Sequence, residues 1–126
     1  MVKSSPMNLA TAFSTSAARS SQKTAIFWGE EEYSFEELWT RSLAVAHQLQ
    51  DKFAVEPGDR VGLWLKNCPE FVPAVFGVFL AGGIVVPINN FLKPAEVSFI
   101  INDAGVDVLI TDASMTEGTA ALSAAR

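Results

Sequence analysis

Cys68 is the only cysteine in the 126 residues, so the chain can form neither an internal disulfide nor a thiolate metal site. A reducing, cytoplasmic setting suits such a chain, with contact to a membrane surface left open. Basic residues are scarce: 9 Lys and Arg stand against 14 Asp and Glu, for a net charge of -5. They form no cluster, which excludes the electrostatic footprint that a nucleic-acid partner requires. The single histidine, His47, falls on the polar face of a predicted helix without a second ligand and reads as solvated rather than as a base or metal ligand. No acid precedes Glu30, whereas Lys3, Arg19 and Lys23 make that segment basic. An acid-free, Ser- and Ala-rich start can be an organelle transit peptide, but Arg is too rare here. An ordinary helix and loop over residues 1–22 is the better reading. A secretory signal is missing as well, because apolar residues alternate with Ser and Thr over residues 8–21.

What the chain has in excess is apolar material, at 49% of its residues. So small a domain leaves a large share of its surface in water, so this excess points to a partner or to further chain. Residues 71–88 carry no charged or polar side chain and are long enough to be weighed as a membrane span. Pro73, Gly77, Gly82, Gly83 and Pro87 punctuate that run, and the Gly-Gly pair reads as a turn. It is better read as a buried helix, a turn and a buried strand, with no transmembrane segment.

Along the chain, Asn8 can cap a helix that gathers Leu9, Ala12, Phe13 and Ala17 on one side. Residues 25–28 and 32–34 read as a hairpin turning at Gly29 and Glu30, within a segment 23–34. Ser34 and Glu37 have the spacing of a capping box, and Phe35, Leu38, Trp39, Val45, Ala46, Leu49 and Phe53 follow as one helical stripe. Residues 61–65 lack polar alternation, as a strand covered on both faces would. Asn67 and Glu70 offer a second cap, with Pro69 in the first turn and Pro73 deep enough to disturb the helix. Residues 84–88 form a second buried run. Pro94 opens a helix with Val97, Ile100, Ile101 and Ala104 on one face and Gly105 as its stop, and residues 108–111 form a third run. Ser114 and Glu117 can cap a last helix reaching about residue 125. Strands alternating with helices imply parallel pairing through right-handed crossovers. The expected class is α/β: a helix, a small β-hairpin and a parallel β-α-β-α-β unit over residues 35–126, all within a single partial domain.

The pieces Tyr33-Ser34-Phe35-Glu36-Glu37-Leu38, Pro57-Gly58-Asp59-Arg60-Val61 and Leu65-Lys66-Asn67-Cys68-Pro69-Glu70-Phe71 occur in that order. Leu80-Ala81-Gly82-Gly83-Ile84-Val85-Val86-Pro87-Ile88-Asn89 follows, then Glu96, Ile100, Asp103, Ala104 and Gly105 and the strand to Thr111 and Asp112. No single piece is specific, but the ordered set resembles the first part of the large N-terminal domain of adenylate-forming acyl-CoA synthetases, the fatty-acid-CoA ligases among them. Luciferase-like and peptide-synthetase adenylation domains are further branches of that superfamily. The resemblance implies a two-step reaction. A carboxylate attacks the α-phosphate of Mg-ATP to give an acyl-adenylate, and CoA then displaces AMP. Such chemistry needs neutralised phosphates and a polarised carbonyl. In the family those groups come from a Pro-Lys-Gly-ended loop, a ribose-binding acid and a far C-terminal lysine, all downstream of the part matched here. The implication is a scaffold fragment that holds no catalytic residue and binds no cofactor alone, while its full-length parent uses ATP, Mg and CoA on a carboxylic acid. Its partner would be the rest of the same polypeptide, or, in isolation, another copy of itself. A free-standing interaction module built on the same subdomain is the alternative.

Other chemistry is thin. Gly77 and Gly82 have the spacing of a phosphate loop, but Gly83 and Ile84 stand where Lys and Ser or Thr are required. Glu30, Glu31 and Glu32 are adjacent in a hairpin and point to alternate faces, so they read as a solvated turn rather than a metal cluster. Cys68 at a helix N-terminus could carry a lowered thiol pKa, although a packed thiol is the better reading. The loop Asn89, Asn90, Phe91, Leu92, Lys93 follows a strand, where open α/β sheets gather ligands. By resemblance it lies near the CoA entrance, with Asn89, Asn90, Phe91 and Lys93 as candidate residues. Phe91 replaces a basic residue common there, which leaves Lys93 as the cation; a plain connector is the competing reading.

Overall fold

The strand at residues 60–64 organises everything else, and it does so in the computed structural model, which describes residues 9–112. Its order is α1 (Leu9–Arg19), β1 (Thr24–Trp28), β2 (Glu31–Ser34), α2 (Phe35–Phe53), β3 (Arg60–Trp64), α3 (Phe71–Leu80), β4 (Ile84–Pro87), α4 (Pro94–Ala104) and β5 (Val108–Thr111). The expected cap at Asn8 and the last helix from Ser114 lie outside the described residues. β1 and β2 form an antiparallel hairpin, and the main sheet is parallel in the order β4-β3-β5. The fold is α/β, as the alternation of elements requires.

β3 is covered on both faces. Val61 and Leu63 are 0% exposed and pack with Leu65 against α2 and α3, through Ala46, Leu49, Ala74 and Val78. Trp64 turns the other way and joins Ile88, Val97, Ile101 and Val106 under α4. Two crossovers of one hand that run in opposite directions along a sheet must place their helices on opposite faces. α3, leading from β3 out to β4, and α4, leading back past β3 to β5, do so. A third cluster holds α1 and the hairpin to the outer side of α2 and α3, around Phe13, Ala17, Tyr33 and Leu38.

The start of α2 follows its capping box. Ser34 Oγ accepts from the Glu37 N–H at 3.1 Å, and Glu37 Oε1 accepts from the Ser34 N–H at 3.3 Å. α4 starts at Pro94 and stops at Gly105, whose φ of 65° is the left-handed value a Cβ would oppose.

Four expectations are corrected. The cap at Asn67 and Glu70 does not form: α3 begins at Phe71, and Glu70 is helical without a side-chain cap bond. The Cys68 and Pro69 carbonyls already accept the N–H groups of Phe71 and Val72, at 3.0 and 3.2 Å, so no side-chain cap is needed. Pro73 is therefore the third helical residue, where a missing N–H costs nothing, and it does not disturb the helix. The run 84–88 is not wholly buried. β4 is an edge strand with Ile84 and Pro87 exposed, and only Ile88 beyond it is covered. On α1 and α2, Leu9 and Phe53 face water, while Ala10 and Ser42 are buried in their stead.

Candidate functional site

Chemistry in an open parallel sheet collects at the carboxyl ends of its strands. Here β3 hands over to α3 on one face and β4 to α4 on the other. The loops after these neighbouring strands thus diverge, and the crevice between them is the switch point of the topology. The predicted loop lies on its β4 side. Asn89 and Phe91 are exposed, Asn90 is half-buried, and Phe91 is 88% exposed. Asn89 Oδ1 accepts from the Phe91 N–H at 2.8 Å and the Asn89 carbonyl accepts from Leu92 N–H at 3.1 Å, which fixes the turn. The Lys93 N–H donates to Glu96 Oε1 at 3.0 Å and starts α4, while the Lys93 residue is exposed. Asn89, Asn90, Phe91 and Lys93 are thus neighbours on one solvent-facing turn, with Lys93 as its only cation.

A groove of about 480 Å³ lies at the carboxyl ends of β3 and β5, bounded by Val45 and Ala74 from the helices and by Leu65, Lys66, Cys68, Glu70, Ile110, Thr111 and Asp112. Sequence reading did not single it out, although Lys66 and Asp112 each stand just past a strand-like run. The strands are brought into line by two carboxylates. Asp107 Oδ2 accepts from the Arg60 N–H at 3.0 Å, and Asp112 Oδ2 accepts from the Lys66 N–H at 3.4 Å. Trp64 and Thr111 are partners in the ladder, and each keeps a buried polar atom, Nε1 and Oγ1, without a hydrogen-bond partner.

The groove does not fit a polyphosphate. Among the described residues its one cation, Lys66, is set beside two carboxylates, Glu70 and Asp112, where a triphosphate needs a surplus of donors and positive charge. The glycines with phosphate-loop spacing do not supply a cradle either. Gly77 is inside α3, where an added Cβ would stand 2.4 Å from Val45 Cγ1, and Gly82 makes the turn into β4. Both have packing and turn roles. Cys68 sits in the turn ahead of α3 rather than in its first turn. Cys68 is half-buried, and burial and the neighbouring Glu70 push its thiol above the usual value, the opposite of the lowering that a helix N-terminus would give. In the hairpin, Glu31 accepts from the Tyr33 hydroxyl and Glu32 from the Thr24 hydroxyl, so these carboxylates serve different partners. The bond to Glu31, then burial, raise the Tyr33 phenol above its ordinary range. His47 is exposed. Among the described residues, no helix is long and apolar enough to cross a membrane.

The AMP-binding enzymes match as a family over residues 13–126. The long-chain-fatty-acid–CoA ligase of Bacillus subtilis (strain 168) is 41% identical over 96 residues, covering 76% of this chain and 17% of that enzyme. The ligase of the same name from Escherichia coli O6:H1 is 34% identical over 103 residues, covering 82% and 18%. Gramicidin S synthase 2 of Brevibacillus brevis is 28% identical over 99 residues, covering 79% of this chain and 2% of that protein. Among solved structures, the anthranilate CoA ligase AuaEII in complex with anthranoyl-AMP superposes with a TM-score of 0.86 at 27% identity, over 93% of this chain and 22% of its own. The o-succinylbenzoate CoA synthetase of Bacillus subtilis does so with a TM-score of 0.77 at 31% identity, over 81% and 21%. The chain thus spans less than one fifth of the length of the fatty-acid ligases it matches. It belongs to the AMP-binding enzyme family.

Proposed function

We propose that this chain is the N-terminal scaffold of an ATP-dependent ligase that joins a long-chain carboxylic acid to CoA through an acyl-adenylate, and that it performs no catalysis alone. The observation that carries the reading is its likeness to long-chain-fatty-acid–CoA ligases over most of its own length and a small part of theirs. The groove's charge supports the second half, since the described residues offer a triphosphate no cradle. ATP and Mg would be held by other parts of the parent, and the work of this part is to fix the sheet on which they stand. A cytoplasmic location and a partnership with the rest of the same polypeptide belong to this reading. The turn of Asn89, Asn90, Phe91 and Lys93 is proposed to lie near the CoA entrance, with Lys93 as the cation for a CoA phosphate.

Two measurements test the reading. The purified chain should give no carboxylate-dependent exchange of pyrophosphate into ATP, and exchange above the buffer level would overturn the scaffold assignment. Residues 33–112, placed in the Bacillus subtilis ligase instead of its matching segment, should leave an enzyme that forms long-chain acyl-CoA. Lys93→Ala in that chimera should raise the KM for CoA more than it lowers kcat. A folded chimera without adenylation would show that this segment does not belong to such a ligase.

A further inference from the structure

We draw no further inference here: the strongest candidate, the apolar groove of about 470 Å³ that Leu92, Ala95, Phe99 and Ile100 form on the outer side of α4, is an unpartnered face, and nothing in the structure shows what covers it.

Discussion

Gly77 shows how a single residue can be read correctly as to what it is not, yet missed for what it does. Its spacing to Gly82 is that of a phosphate loop, and the lack of a following Lys ruled the loop out. Why a glycine stands there became visible only with α2 packed on α3. An added Cβ would lie 2.4 and 2.6 Å from Cγ1 and Cβ of Val45 and 3.1 Å from the Ser42 carbonyl. Ser42, 0% exposed on the facing helix, belongs to the same close approach, with its hydroxyl spent on the Leu38 carbonyl at 2.7 Å. The helical stripe read from the sequence does not include Ser42, because nothing in one chain's pattern announces which small residues another helix will touch. Gly77→Ala gains about 1 kcal/mol of helix propensity. It nonetheless forces branched and main-chain atoms apart, so it should destabilise by about 1–3 kcal/mol net in denaturant unfolding. The double variant Gly77→Ala, Val45→Ala should recover part of that loss; full additivity of the two losses would mean the helices do not meet here.

Elements were legible where their signals are local. Ser34 and Glu37 state the start of α2, Pro94 and Gly105 bracket α4, and the unbroken apolar run of β3 states that both its faces are covered. They were illegible where the answer depends on a neighbour. β4 has a composition as apolar as β3, but its place at the edge of the sheet exposes Ile84, and sheet order is not written in a strand's own residues. The start of α3 was misplaced because the Cys68 and Pro69 carbonyls, not a side chain, receive its first N–H groups. The candidate site divides in the same way. The turn at Asn89 follows from strand-end position alone, whereas the groove joins residues 65–74 to residues 110–112 and needed the β3–β5 register to exist. The capping box offers an element-scale test. Ser34→Ala should cost about 1 kcal/mol, and Ser34→Asp should restore most of it. The denaturant midpoint should fall at constant slope; an unchanged midpoint would mean that the reciprocal bonds contribute nothing to α2.

At the scale of the whole molecule, the three apolar clusters among the described residues are joined unequally, and this decides how the chain should come apart. The two beside the sheet share β3: Leu63 serves one and Trp64 the other, one residue apart on opposite faces. Neither can open without the strand that carries both. The third, around α1 and the hairpin, packs on the rest through the outer sides of α2 and α3. Phe13 is its main link, with its ring centroid 4.5 Å from that of Phe76, 5.5 Å from Trp39 and 6.5 Å from Phe35. A two-stranded hairpin and one short helix are not stable alone, so they depend on that link. Leu63→Ala and Phe13→Ala should each lower stability, by about 2–5 and 3–5 kcal/mol, but in different ways. Loss of Leu63 should lower one cooperative transition for the whole chain. Loss of Phe13 should release α1 and the β1–β2 hairpin first. Their amides would then exchange ahead of those of β3, which keep the protection of global unfolding. Amide exchange on the two variants separates these outcomes. If Phe13→Ala lowered the protection of β3 as much as that of the hairpin, the N-terminal elements and the sheet would be one cooperative unit, and the ring cluster would be part of a single core.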